Sequence, residues 1–200
     1  MTQVPIESMY GSVRAKDLRP ARPRATTKIG SVHQALRAAT RDDHASIDRM
    51  LLSFDLSKAE DYRIFLSIHA AALVTIQTDW RLQDSDDFER MLRCVRADLK
   101  TLGCAVTTPP SSPRPSSLAK GLGIAYVVRG SRLGAAVLRR GVVGNLPTSY
   151  LDFVPSLSWA LFLTELEPLA DDPNGKDEAI GAARGIFNTF VTEFTRASLS

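Results

Sequence analysis

One histidine in the first third of the chain follows two cations at helical spacing. Arg37, Arg41 and His44 succeed one another at steps of four and three residues, which places them on one side of a helix. A neutral imidazole can ligate a metal, and guanidinium groups at this spacing can pair with carboxylates. By itself the pattern is weak, because a lone histidine is more often a core or surface residue and two such arginines more often form a solvated face.

A second segment leaves a stripe of helix backbone uncovered. Gly130 and Gly134 lie four residues apart within the helical pattern of Tyr126–Leu138, so they share one face. Each glycine inside a helix costs about 1 kcal/mol relative to alanine. We therefore expect another body to lie close to this stripe, either a packed helix or a flat ligand.

Helical periodicity runs through the rest of the chain, and no alternating strand pattern persists. We predict an all-α helical domain over residues 31–200. Its first helix runs from near Ser31 through Thr40 towards His44. The later helices are predicted from a capping box at Ser57 to about Arg81, over Asp86 to Leu102, from Ser117 to about Arg140, from Trp159 to before Pro168, and from Asn174 onwards; a proline-rich loop or lid spans Thr107 to Ser117.

The positive charge of the chain is concentrated at its start. Residues 1–30 hold six basic and two acidic residues, a net charge of +4, whereas the other 170 residues carry −1. A domain this close to neutral lacks the electrostatic footprint of a nucleic-acid binder. We expect residues 1–30 to form a disordered basic tail, and we expect no nucleic-acid partner.

Apolar runs are too short to span a membrane, and the first residues lack the apolar stretch of a secretory signal. The sequence therefore predicts a cytoplasmic protein with no membrane association. Cys94 and Cys104 are too few for a disulfide scaffold and lack metal-type spacing, so we expect reduced, inert thiols.

Together, the two segments resemble the haem oxygenase family in order, spacing and distance along the chain. The leucine-basic-x-x-threonine-x-x-x-histidine pattern of Leu36–His44 is similar to the family's proximal helix. The Tyr-Val-x-x-Gly-Ser-x-Leu-Gly pattern of Tyr126–Gly134 is similar to its distal helix in bacterial members, and Leu146-Pro147-Thr148 also matches. The resemblance covers about residues 31–198. The distal motif looks most like members that make biliverdin for bacterial phytochromes.

The resemblance implies an all-α haem-oxygenase-like bundle that binds haem as both substrate and cofactor. With O2 and electrons from a ferredoxin or a flavoprotein reductase, haem would yield biliverdin, CO and Fe(II). His44 would be the proximal iron ligand, and at least one of Arg37 and Arg41 would face the haem propionates. A bacteriophytochrome is the further partner that this implies.

On the distal side, the resemblance assigns Gly130, Ser131 and Gly134 to the reaction and Tyr126 to haem binding. Ser131 stands where many members have an aspartate that organises water, and it could still hold water. Ala135 replaces the second of two adjacent glycines and is either tolerated or narrows the pocket. Asp48 stands where many members have glutamate, and it is either an acceptor for His44 or a plain surface carboxylate.

Other aromatic and histidine residues have simpler interpretations. His69 could be a sixth iron ligand, but a core histidine bonded to backbone is favoured, and His33 is expected to be exposed. Phe187, Phe190 and Phe194 are expected to pack the core more than to line a haem edge. Two rival hypotheses remain open: a non-catalytic haem- or tetrapyrrole-binding protein of the same fold, and a haem-free helical interaction protein.

Overall fold

The computed structural model describes residues 31–77, 85–104 and 117–198. Within these ranges the regular elements are all helices and no strand occurs, which confirms the predicted all-α class. The predictions for the basic tail, for most of the proline-rich loop and for the end of the second predicted helix lie outside the described residues. The helices are α1 (Ser31–Ala39), α2 (Arg41–Leu51), α3 (Ala59–Gln77), α4 (Ser85–Thr101), α5 (Leu118–Gly141), α6 (Trp159–Glu165), a short 3-10 helix (Glu167–Asp171) and α7 (Pro173–Ser198).

The single first helix predicted from the sequence is two helices that meet at Thr40. The backbone of Thr40 leaves the helical region, with φ −105° and ψ 7°. Its hydroxyl donates to the carbonyl oxygen of Leu36 at 2.8 Å, and the amide of His44 still donates to the carbonyl of Thr40 at 2.9 Å. Hydroxyl bonding to the preceding turn bends helices, so the chain turns at Thr40 without losing its helical hydrogen bonds.

The start of α3 does not form the predicted capping box. The hydroxyl of Ser57 donates to the carboxylate of Asp55 at 2.6 Å, and Glu60 pairs with Arg63 one turn further on. Asp61 accepts from the backbone amide of Asp55 at 2.9 Å. The polar residues that predicted a capping box therefore form a local network around the carboxylates of Asp55, Glu60 and Asp61.

Helix α7 is the central helix of the fold, because α1, α2, α3 and α5 all pack against it. Its contact with α5 is a backbone contact. A Cβ atom at Gly123 would lie 2.1 Å from the carbonyl oxygen of Ala179, so only glycine fits there. Beside this crossing, Ser117 caps α5 by accepting from the amide of Lys120 at 3.2 Å, as predicted, and donates to Glu178 at 2.5 Å.

Helices α2, α5 and α7 run in the same general direction. The start of α5 meets α7 at Ala179, and the last residue of α5, Gly141, reaches the side chain of Leu56. The ring of the neighbouring Phe54 contacts Phe194 near the end of α7, with centroids 5.6 Å apart. At the start of α2, Arg184 donates to Asp43 at 3.2 Å. The α2 and α5 helices therefore lie alongside α7, and we call them the α2 wall and the α5 wall.

The contact at Gly123 predicts a large difference between two glycine-to-alanine substitutions. Gly123→Ala should lower the free energy of unfolding by about 2–3 kcal/mol, because the added methyl overlaps the α7 backbone. Gly181→Ala, on the same pair of helices but with nothing within 4 Å of its added Cβ, should raise it by about 0.5–1 kcal/mol. Urea unfolding of both variants measures the difference. Equal effects of the two substitutions would contradict the close packing of α5 on α7.

Candidate functional site

The structure brings His44 and the glycine pair to about the same level along α7. The ring of His44 contacts Phe187, with centroids 6.0 Å apart. Phe187 lies eight residues beyond Ala179, and Gly130 lies seven residues beyond Gly123, which touches Ala179. At about 1.5 Å per residue these steps are roughly 12 and 10 Å. The two segments singled out by the sequence therefore lie on neighbouring walls at matching heights.

On the α2 wall, His44 is oriented by a carboxylate one turn further on. Its Nδ1 donates to Oδ2 of Asp48 at 2.9 Å, and the His44 side chain is 40% exposed. This contact favours the role of Asp48 as acceptor for the imidazole over that of a plain surface carboxylate. A proton held on Nδ1 makes Nε2 the nitrogen that can ligate a metal. No residue of α2 is fully buried, and His44 itself is half-buried.

On the opposite wall, the two halves of α5 differ sharply in burial. From Ala119 to Arg129 every residue except Lys120 is buried, whereas in the second half only Ala135 is buried. We call residues 130–141 the glycine half of α5. At about 100° per residue, its Gly130, Gly134 and Leu133 fall on one side, and the Leu133 side chain is 42% exposed. The two glycines are half-buried, so the exposed surface on this side is mainly that of Leu133.

An aromatic cluster joins α1, α5 and α6 next to Gly130, and we call this cluster the closed end of the candidate site. The rings of His33 on α1 and Tyr126 on α5 are 5.9 Å apart, and each lies within 6.0 Å of the Trp159 ring. A Cβ at Gly130 would lie 3.6 Å from the Trp159 indole, so that glycine faces an aromatic ring. The contact of Trp159 with Gly130 was not predictable from the sequence, because it spans 29 residues and leaves no local signal.

His33 is half-buried in this cluster, so the prediction that it would be exposed is wrong. Burial lowers the pKa of His33, and the charge of Arg37 one turn further on lowers it further. Arg37 is therefore placed beside this closed end. Arg41, at the start of α2, is also exposed, and it makes no hydrogen bond or ion pair with any residue that the structure describes.

Ser131 and Ala135, the two residues of α5 that differ from the motif the sequence resembles, have different surroundings. Ser131 is exposed, and its hydroxyl donates to the carbonyl of Val128 on its own helix at 2.7 Å. Ala135 is only 3% exposed and belongs to the apolar core. Its methyl group points away from the open side of α5, which favours the interpretation that alanine is tolerated.

His69 is a core residue, as the sequence analysis favoured. It is 9% exposed, and its Nδ1 donates to the carbonyl of Phe65 at 2.8 Å. Its ring packs against Phe190 and Tyr150. The phenylalanines of α7 are buried too, which confirms their predicted packing role, although Phe187 also touches His44. Cys94 and Cys104 are free thiols.

Three further features bear on other kinds of site. A shallow depression on the far side of α5 is lined by Asp87, Val128 and Arg129, and its volume of about 20 Å³ has room for water but not for a larger ligand. No group of three or more His, Cys, Asp or Glu side chains that could hold a metal ion occurs in the described ranges. None of the helices described is long and apolar enough to cross a lipid bilayer.

The buried His69 predicts a pH dependence of stability. Burial, and to a smaller extent the charge of Arg132, lower its pKa to about 4. Between pH 6.5 and 4 the imidazole of His69 binds a proton in the unfolded chain but stays neutral in the native state. The free energy of unfolding should therefore fall by up to about 3 kcal/mol as the pH drops. His69→Gln should lack this contribution. Urea unfolding at several pH values measures it, and parallel pH profiles of the two proteins would contradict it.

Comparison with known proteins bears on the fold. No protein-family model matches the chain, and no curated protein matches it significantly. A heme oxygenase from Neisseria meningitidis, whose crystal structures were determined with NO and CO bound, is similar in structure, with a TM-score of 0.66 and 26% sequence identity. The match covers 86% of this chain and 92% of that one. The protein therefore has the haem oxygenase fold.

Proposed function

We propose that this protein is a haem oxygenase, which binds haem between α2 and the glycine half of α5 and cleaves it to biliverdin with release of CO and Fe(II). The observation that carries the proposal is that His44, oriented by Asp48, and the glycine pair of α5 lie at about the same level along α7 in a haem oxygenase fold. The other residues of the two walls fit the requirements of such a ligand.

The α2 wall fits an axial ligand. Haem, when bound, supplies the iron that activates O2 and the ring carbon that is oxidised. His44 would hold the iron through Nε2, while Asp48 keeps the proton on Nδ1 and fixes the ring orientation. A neutral imidazole gives less electron push than a thiolate, which suits chemistry in which the O–O bond is not cleaved first.

The α5 wall fits a flat apolar ring. Gly130 and Gly134 present backbone without side chains, and Leu133 adds exposed apolar surface on the same side. This wall would orient the ring and exclude bulk water from it. Ser131, next to Gly130, offers a hydroxyl that can hold ordered water if it turns from Val128.

The closed end fits the carboxylates of the ligand. Arg37 is exposed beside His33, and Tyr126 lies across from it on α5. A guanidinium and a phenol in these positions can bind propionates at the edge of the ring. Arg41, without a partner in the described residues, is a second cation for the same role.

The electrons would come from a separate ferredoxin or flavoprotein reductase. The assignment of biliverdin to a bacteriophytochrome and the cytoplasmic location stay predictions from the sequence. A second candidate function is haem binding without turnover. It is favoured by the hydroxyl of Ser131, which is bonded within its own helix, and by the indole that covers Gly130.

Replacement of His44 tests the proposal directly. With haemin, the wild type should give a shifted Soret band, and addition of ascorbate or reduced ferredoxin should then produce the absorption band of biliverdin. His44→Ala should lose the axial-ligand signature and on the order of 100-fold or more in haemin affinity, since loss of an outer-shell partner alone costs about 10–100-fold. Ser46→Ala, on the opposite side of α2, is the matched control and should behave as wild type. A stable oxy complex without biliverdin would leave only the binding function.

The contact between Asp48 and His44 predicts a smaller, graded effect. Asp48→Asn keeps an acceptor for Nδ1 but removes the charge, so it should raise the reduction potential of bound haem and weaken binding by about tenfold. Asp48→Ala removes the acceptor and should cost more. Redox titration and haemin titration of both variants give the two quantities. Wild-type values in both variants would show that Asp48 is only a surface carboxylate.

A further inference from the structure

We infer that Arg132 is a positioning residue that holds the glycine half of α5 at its working distance from a bound ligand. It lies on the side of α5 opposite Gly130 and Gly134, about 160–200° around the helix. The inference rests on the proposed function, and it assigns a role to a residue that the sequence analysis left without one.

Arg132 joins α5 to the segment 147–157, which leads into α6. One of its guanidinium nitrogens, Nη1, donates to the carbonyl oxygen of Tyr150 at 2.8 Å. The guanidinium carbon also lies 4.5 Å from the centre of the Tyr150 ring, within cation–π range. Tyr150 is 1% exposed, so this contact is made to a fixed part of the core.

The segment that receives Arg132 is held by a buried carboxylate. Asp98 on α4 is 1% exposed, and its two oxygens accept from the backbone amides of Ser149 at 3.1 Å and Tyr150 at 2.8 Å. The hydroxyl of Tyr62 on α3 donates to the carbonyl of Pro147 at 2.8 Å. Charge-assisted bonds to backbone are among the stronger protein hydrogen bonds, so α3 and α4 give Arg132 a rigid partner.

Two other arginines of α5 contact the same segment but cannot replace Arg132. Arg129 donates to the carbonyl of Leu157 at 2.9 Å, yet it belongs to the buried half of α5. Arg139 pairs with Asp152 at 3.1 Å, but these side chains are 41% and 54% exposed, where ion pairs contribute little. Among the described contacts, Arg132 thus makes the one hydrogen bond from a side chain of the glycine half to a buried residue of the segment 147–157.

The side of the glycine half with Gly130 and Gly134 would face the ligand, so the position of these residues depends on the contacts that Arg132 makes on the other side. Loss of the Arg132 contact should free residues 130–141 without moving His44 or α2. The ligand would still bind to the proximal wall, but the distance of the distal backbone from it would change. Arg132 should therefore affect distal properties of the complex more than affinity.

The first test needs no haem. Hydrogen exchange of the purified protein should show about tenfold faster exchange of amides in residues 130–141 in Arg132→Met than in wild type, with little change in residues 119–129. Arg132→Lys keeps a cation and should recover part of the protection. Arg140→Met, an exposed arginine on the same half of α5, is the matched control and should exchange as wild type.

The second test uses the ferrous CO complex formed from haemin. Arg132→Met should shift the C–O stretching band and change the ratio of biliverdin isomers, while haemin affinity changes less than threefold; Arg132→Lys should lie nearer to wild type. Unchanged exchange or an unchanged C–O band in Arg132→Met, in a wild type that binds haemin, would overturn the inference alone. A wild type that binds no haemin would overturn the proposed function and this inference with it.

Discussion

The contact of two helix backbones at Gly123 and Ala179 is the constraint on which the architecture depends. Because no side chain separates α5 from α7 there, the buried half of α5 is fixed against the helix that also carries α1, α2 and α3. From that crossing α5 and α2 continue alongside α7 in the same direction. The geometry of the site follows, since the level of the glycine pair is set by its distance from Gly123 and that of His44 by its contact with Phe187.

The two sides of the glycine half carry different residues and make different contacts. One side carries two half-buried glycines and an exposed leucine, and its apolar surface would be stabilised if an apolar ring covered it. The other side carries Arg132 and Arg139, which bond to the backbone of Tyr150 and to the carboxylate of Asp152 in the segment 147–157. Because these arginines fix the helix on one side, its glycine side can stay available to a ligand without the helix packing that glycines within a helix normally require.

Features that depend on neighbouring residues were predictable from the sequence. The Ser117 cap, the bounds of α4 and α5, and the backbone bond of His69 all follow from contacts within about one turn. The helix break at Thr40 was missed because bending depends on a hydroxyl rotamer. Trp159, half-buried His33 and Arg132 were missed because their partners lie 18 to 126 residues away, where periodicity carries no information.

The central claim is that a haem lies between the imidazole of His44 and the backbone of the glycine half. A crystal structure of the protein with haemin tests it most directly. The account predicts iron bound by Nε2 of His44, with Gly130 and Gly134 facing the other side of the ring. Iron bound by another residue, or haemin seated away from the space between α2 and α5, would contradict it.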